Sequence, residues 1–493
     1  MSKLTAIIAI YSFAILSAVS FYYAVKTTKK FWIQLFTLLF TAFNSVLWTT
    51  AFYPGNLSPD SIDSWEQAIS GQYTDHHPVI MALIMKIFYF AFGNQIQFYT
   101  LFQSFFFYFS VFFLIKEVTS SSKLVNVKTY LYSVILFSLI PIVWVYSVIL
   151  WKDVLISIFC NFLAAFLIRF FRTNKTLDLC ISLGFLFLTV LSRHNAILVL
   201  PGMLILLWIL KRDMRLKFVQ KAAVGLAFLA TAFGSQVINS ALNVRPAGLK
   251  ELVLASALLG YDRRLEHETN IVHEPSRVFW DHAISSPNGY QELSKRNEGC
   301  GDEWQFVMDR KINSQNLVSY IQSLPGGLVP VLGDFVLHHP IISLEANLCG
   351  IKKLVLARDN LYYWGVVPNA EGITWSPLDG RLKNFATSRV SEFANNPLKN
   401  HLIYLFFLAG AFFVLIRDKV YDSIRFQERY ILSRPTFAVL SCIGLSYFLS
   451  MCVVPQIAWR YLLLTFCLAW AAILPMFVEL STRIYKRLIP QRN

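Results

Sequence analysis

Charge is sparse in this 493-residue chain, and acidic residues are the scarcest part of it. Only 15% of residues are charged, with 29 Asp/Glu against 44 Lys/Arg, while 56% are hydrophobic. A soluble domain carries about 25% charged residues, so an ordinary soluble globular protein is excluded. No Gly-x-Gly-x-x-Gly follows a strand-like run and no Walker loop is present, which leaves no sequence basis for a bound nucleotide. Neither cysteine nor histidine occurs at a metal-type spacing. No internal repeat is evident. No small-residue cleavage site follows the first apolar stretch, which is also too long for a signal-peptide core and reads as a retained span.

What the chain does have is apolar length. Its 43 Phe and a mean hydropathy of +0.51 belong to a polytopic membrane protein. Apolar runs near 4–25, 31–52, 96–115, 129–148, 154–171, 176–193, 195–210, 221–243, 401–416, 436–454 and 459–480 predict about eleven transmembrane helices. Every second loop between them is basic: Lys26 to Lys30, Lys116 to Lys128, Arg169 to Lys175, Lys211 to Lys217, Arg417 to Arg434 and Arg483 to Arg487. Residues 245–399 hold 16 Lys/Arg and 17 Asp/Glu, so the net charge of +15 lies in the membrane part and its short loops. That is a topology signal and not a nucleic-acid surface. It puts the C-terminus in the cytoplasm, and the N-terminus, the loop 53–95 and the segment 245–399 outside. The alternation holds only if VIMALIMKIFYFAF, residues 79–92, does not span. Its 14 residues ending at Gly93-Asn94 predict an interfacial or re-entrant helix on the outer side.

Three parts follow: a membrane domain over 1–244 with an outer loop at 53–95, an extracytoplasmic domain of mixed structure over 245–400, and C-terminal membrane helices over 401–493. Cys160, Cys180, Cys442, Cys452 and Cys467 lie in apolar stretches and read as core residues. Cys300 and Cys349 could pair if the outer segment faces an oxidising compartment. A second His-His-Pro, at His338–Pro340, reads as coincidence.

The stretch PGNLSPDSIDSWEQAISGQYTDHHP, residues 54–78, interrupts this apolar chain with four acids and two histidines. SPDSIDSWEQAISG predicts a short helix, capped by Ser58 or Asp60, with Pro59 in its first turn and Gly71 at its end. At 100° per residue Ile62, Trp65 and Ile69 share one face. Asp60, Asp63, Ser64 and Gln67 share the other. Both acids could simply favour the helix dipole. A loop that also delivers Asp75, His76 and His77 favours a site, with Glu66 beside it. The two histidines could orient a substrate or contact a phosphate, or could cap the following helix. Three further polar groups lie at outer span ends: Lys152 and Asp153, Arg193 with His194 and Asn195, and Arg460 with Tyr461. Lys152, Arg193 and Arg460 could converge on one phosphate, or could snorkel or pair with acids.

The outer loop YPG…SPDS…Q…SG.Y.D.HP, followed by a short apolar helix ending in Phe-Gly, resembles the GT-C superfamily of integral membrane glycosyltransferases. The bacterial members that use a polyprenyl-phosphate sugar are nearest in kind: the aminoarabinose lipid A transferase, protein O-mannosyltransferases and serotype-converting O-antigen glucosyltransferases. The likeness is carried by residues 53–93, with helical pattern through 243 and at 436–480, and only topology over 245–399. It implies an all-α, GT-C-like fold in a bacterial inner membrane. It also implies inverting transfer of a sugar, glucose as the first choice, from polyprenyl phosphate to an extracytoplasmic glycan acceptor such as O-antigen. Asp60 aligns with the superfamily's first-loop acid and takes the part of general base, with Asp63 and then Asp75 as alternatives. Some members need a divalent metal, which paired acids could hold, although Asp60 and Asp63 depart from a strict Asp-x-Asp. The competing reading is a transporter or flippase of lipid-linked glycans. It predicts charges buried at mid-membrane and related halves, whereas the polar groups here gather at outer helix ends.

Overall fold

The computed structural model describes residues 3–121, 126–210, 217–283, 314–356, 365–417, 432–452 and 462–488. The first half of the chain builds α1 (Lys3–Thr27), α2 (Lys30–Ala51), α3 (Pro59–Ser70), α4 (Val79–Phe92), α5 (Gln97–Ser120), α6 (Val127–Ser138), α7 (Pro141–Val148), α8 (Lys152–Thr173), α9 (Thr176–Leu191), α10 (Val199–Leu210) and α11 (Phe218–Ala241). A 3-10 turn, His194–Leu198, joins α9 to α10. Six helices are long and apolar enough to cross a bilayer: α1, α2, α5, α8, α11 and the C-terminal helix Leu463–Leu488. The bent pair α6 and α7 makes up to a seventh. The runs expected at 176–193, 195–210, 401–416 and 436–454 are helical too, but their apolar segments are of 10–17 residues. The protein is thus a multi-pass membrane protein, with six helices of full spanning length, or up to seven with the bent pair, among the described residues.

One expected span, 129–148, is corrected to two helices bent by 73°. Pro141 at the first turn of α7 cannot continue α6, since it has no N–H and its ring clashes with the preceding turn. The carbonyl freed at the break is not wasted: Trp144 Nε1 donates to Ser138 O at 2.6 Å. All of α7 from Ile142 to Val148 is buried, so the break sits within protein, where irregular backbone is tolerated at membrane depth.

α8 runs through the centre of the bundle, buried along most of its length, while α1 and α11 are peripheral. Lipid supplies no hydrophobic drive between helices, so shape and dispersion must hold them. Phenylalanine does much of this: Phe109 and Phe113 of α5 meet Phe162 of α8 at centroid distances near 6 Å, and Phe162 stacks on Phe185 of α9 at 4.9 Å. Asn161 adds a buried hydrogen bond from α8 to Ser110 at 3.2 Å. Ionisable residues gather at the two ends of the bundle. At one end Arg172 pairs with Glu117 at 2.5 Å and Arg169 with Asp178 at 3.2 Å. At the other lie α3, α4 and the residues described below.

The segment 245–400, for which mixed structure is expected, is mostly helical with irregular connections among its described residues. α12 (Leu249–Thr269), α13 (Glu274–Ala283) and the helices Ser314–Ser323, Val329–His338 and Pro340–Leu356 enclose a separate core around Leu258, Leu259, Phe279, Trp280 and Phe335. Cys349 is disulfide-bonded; Cys300 lies outside the described residues. The chain then returns over 365–379 to the membrane part. There Val367 N donates to Leu57 O at 3.1 Å, Leu57 N to Gly365 O at 2.9 Å, and Leu378 N to Thr50 O at 3.1 Å. The described residues contain only isolated bridges, Asn56 with Ile149, Leu57 with Val366 and Thr74 with Arg245.

Candidate active site

The loop after α2 is held from several sides before it delivers any chemistry. Gly55 has φ +140°, and a Cβ there would sit 2.6 Å from Thr100 Oγ1. Only glycine tolerates that backbone and that approach together. The same Thr100 hydroxyl donates to Pro54 O at 2.6 Å. Asn56 N donates to Val148 O at 3.0 Å and Leu150 N to Asn56 O at 3.2 Å, tying the loop to the α7–α8 turn. Ser58 is the N-cap of α3, and its N–H donates to Ser61 Oγ at 3.2 Å. Ser61 Oγ in turn donates to Leu150 O at 2.6 Å, and Trp151 Nε1 to Ser58 Oγ at 2.7 Å. α3 therefore starts where its cap and the start of α8 meet, and it ends at Gly71 in the left-handed region, φ +70°.

The helix expected over SPDSIDSWEQAISG is present, and its polar face is partly closed in, with Asp60 and Asp63 half-buried. Ser61, Ser64 and Gln67 are buried along with Ile62 and Trp65. The side chains there bond within the site. Gln67 Nε2 donates to Asp63 Oδ2 at 2.8 Å and to Thr74 Oγ1 at 3.2 Å, while Gln67 Oε1 accepts from Thr74 N at 3.1 Å. Gln67 thereby fixes the Asp63 carboxylate and clamps the loop 71–78 to α3.

That clamp brings the two histidines over the acids. His77 Nε2 lies 3.7 Å from Asp60 Oδ1. On its other side His77 Nδ1 meets Lys152 Nζ at 2.8 Å. An ammonium can only donate, so Nδ1 accepts and the ring proton sits on Nε2, facing Asp60. His76 stacks on His77 at 4.4 Å and 23°. Asp63, His76 and His77 each offer a ligand atom, all within 4.8 Å of one another. Burial pushes the Asp63 carboxyl up from 3.8, opposed in part by His76 and the Gln67 hydrogen bond. Burial also pushes His76 down from 6.5, with Lys152 acting in the same sense. Both shifts have the same first cause, burial, which disfavours the charged form of each group; perturbed titratable groups gathered in one place are a mark of a candidate functional site.

The remaining expected residues divide. Asp75 is a tether: its carboxylate accepts from Ala247 N, and its own N–H donates to Arg245 O at 3.0 Å. This fixes the loop to the chain entering the outer segment. Glu66 is half-buried on α3 and forms no ion pair among the described residues. Arg193, buried at the end of α9, is engaged by Asp153. Of the two readings open for Arg193, a phosphate contact or pairing with an acid, the structure shows the pairing: a buried guanidinium is stabilised by a carboxylate partner, and Asp153, the residue after Lys152, supplies one. His194 opens the 3-10 turn and Asn195 follows it, half-buried. Arg460 and Tyr461 lie outside the described residues.

Two features were not expected from sequence. Gln67 was placed on the polar face with no part assigned to it, and its role depends on contacts seven residues ahead. A mixed slot also opens beside the loop, with Pro78, Val79 and Leu83 at the α4 end, Leu191 of α9, and Ser235 and Asn239 of α11 among its lining. Its lining residue Pro78 follows His77, and Leu191 ends α9 two residues before Arg193.

The sequence matches no protein-family profile and no curated protein. One solved structure is similar: the archaeal oligosaccharyltransferase AglB from Archaeoglobus fulgidus, in complex with an inhibitory peptide and a dolichol-phosphate. It has a TM-score of 0.41 and 14% identity, over 95% of this chain and 53% of that one. The chain spans about half the length of that protein, and a likeness of this degree carries no functional statement.

Proposed function

We propose that this protein is an inverting glycosyltransferase that moves a sugar from polyprenyl phosphate to an acceptor hydroxyl at the outer face of a bacterial cytoplasmic membrane. The observation that supports it is the line Asp60–His77–Lys152, a carboxylate, an imidazole and an ammonium in sequence. It is set at one end of an apolar bundle beside a mixed slot. In the reaction the acceptor oxygen attacks the anomeric carbon. The bond from that carbon to the phosphate oxygen breaks, and the lipid phosphate leaves with the electron pair. Asp60 takes the hydroxyl proton as general base. Lys152 faces the leaving phosphate and stabilises its charge. His77 holds both groups in register. The slot between α4, α9 and α11 takes the phosphate-proximal end of the lipid, the rest of the polyprenyl chain staying in the bilayer, so that the phosphate reaches the loop.

Single displacement gives inversion. Asp63, His76 and His77 are the residues that would hold a divalent ion, His77 only by giving up its Nε2 proton or its bond to Lys152; when bound the ion would add positive charge for the leaving phosphate. O-antigen or a related surface glycan as acceptor, and glucose as the sugar, rest on the resemblance of the loop alone.

The test is a reconstituted assay with purified protein in vesicles, a polyprenyl-phosphate sugar and a glycan acceptor. Acceptor-dependent release of polyprenyl phosphate is expected. Movement of the intact lipid-linked sugar across the bilayer with no bond cleaved would overturn the transferase in favour of a flippase.

A further inference from the structure

A second group of ligating side chains lies in the outer segment, away from the acidic loop. His273 stands between α12 and α13, and Asp334 and His338 lie on the helix Val329–His338. His273 Nε2 is 3.0 Å from Asp334 Oδ2, and His338 Nδ1 is 3.3 Å from Asp334 Oδ1. One ligand atom from each of the three can be chosen so that all lie within 4.8 Å of one another.

We propose that His273, Asp334 and His338 form a zinc site that pins the α12–α13 junction to the helix Val329–His338. The chemistry of the set favours zinc. Two imidazoles and one carboxylate suit a borderline transition metal, whereas calcium and magnesium prefer oxygen ligands alone. The spacing fits as well. With metal–ligand bonds near 2.0–2.1 Å and tetrahedral angles, neighbouring ligand atoms stand about 3.3 Å apart. The two His–Asp separations are near that value, though to different oxygens of Asp334; with the three ligand atoms within 4.8 Å, metal binding draws the set together and takes His338 Nδ1 off the Asp334 carbonyl it meets at 2.9 Å.

The surroundings have the features of a ligand shell. His273 Nδ1 is bonded to Ser276 Oγ at 2.8 Å, which fixes the ring and leaves Nε2 to point at Asp334, as a second partner does for most ligating histidines. His273 is buried and packs edge-on against Phe335 at 4.8 Å. His338 and Asp334 reach the surface, with side-chain exposures of 66% and 43%, so a metal has an entry path from solvent. His339 lies next to this group, its ring 5.7 Å from that of His273, and water or this imidazole can complete the fourth position. The site has a structural use. The core of the outer segment is small, and small cores are commonly stapled by metals or disulfides.

In sequence only half of this is visible. Asp334 and His338 are four apart and share a helix face, but His273 lies 61 residues before Asp334, so no metal motif appears.

The proposal is independent of the reaction assigned to the outer loop, and its test needs no activity. The full-length protein is purified in detergent, stripped with chelator and titrated with Zn2+ against a chromophoric competitor. Bound zinc is counted by elemental analysis, and thermal unfolding is followed with and without the metal. Wild type and His76→Ala should both keep the outer-segment equivalent. His273→Ala and the exposed His338→Gln should each lose one equivalent, and zinc should raise the unfolding temperature of wild type but not of His338→Gln. His338→Gln tests the site even if His273→Ala fails to fold. Zinc content and affinity in His338→Gln equal to wild type, or zinc lost only with His76→Ala, would overturn the proposal.

Discussion

His77 stands between Asp60 and Lys152, its Nε2 3.7 Å from the carboxylate and its Nδ1 2.8 Å from the ammonium. The imidazole tautomer follows from that contact, because Lys152 can only donate. Replacing Lys152 by Met should lower kcat by about 100-fold, the loss seen when one charge-stabilising donor is removed. KM should change much less. A stopped assay of polyprenyl phosphate release, with kcat and KM fitted separately, checks this. An effect confined to KM would give Lys152 a binding role only.

Arg193 and Asp153 are a buried ion pair at the junction of α9 and α8. Removing one partner of such a pair strands the other, at a cost of about 3–5 kcal/mol, while removing both costs far less. Arg193→Leu should therefore destabilise the protein more than Arg193→Leu with Asp153→Leu. Denaturation in detergent of the two single variants and the double variant gives the coupling. Additive losses would show that the two side chains act separately and would reopen Arg193 as a phosphate ligand.

The backbone of the loop can be tested without touching its chemistry. Gly55→Ala places a Cβ against Thr100 at φ +140°. The strain should cost about 1–3 kcal/mol, measured as a lower unfolding temperature and a lower yield of inserted protein. Gly93, where a Cβ meets nothing within 4 Å, serves as a comparison, though its positive φ brings some strain of its own. Equal, negligible effects at both positions would remove the close approach from the account.

A pH effect is expected in the outer segment. Asp262 is fully buried, its Oδ2 accepting from Trp280 Nε1 at 2.9 Å, and burial pushes its carboxyl up to about 8. The folded state then keeps a proton that the unfolded chain releases near 3.8. Stability from this group is full at low pH and falls as pH rises toward the folded value. Asp262→Asn should flatten that decline, so its unfolding temperature should gain on wild type between about pH 5 and pH 8. Parallel profiles for the two proteins would contradict it.

Much of the architecture was legible because membrane helices announce themselves by length and apolarity. The expected cap and stop of α3 are both observed, Ser58 and Gly71, and so is the 14-residue α4. Those features depend on neighbouring residues. What the sequence leaves undecided is mostly set by partners far along the chain, the bend at Pro141 excepted. The bend at Pro141 lies inside a run whose hydropathy is continuous. The pairing of Arg193 with Asp153 spans 40 residues. The return of residues 365–379 to Leu57, Tyr53 and Thr50 has no pattern in sequence at all. The acidic loop itself was visible as a candidate, but the Asp60–His77–Lys152 line was not, since it needs the turn that Gln67 and Asp75 hold.

Asp60→Asn in the reconstituted transfer assay tests the central claim most directly. The substitution keeps size and hydrogen-bonding reach while removing the base, so transfer should fall by at least about 100-fold. Membrane insertion and unfolding temperature should stay near those of wild type. Wild-type turnover in a folded Asp60→Asn protein would contradict the account.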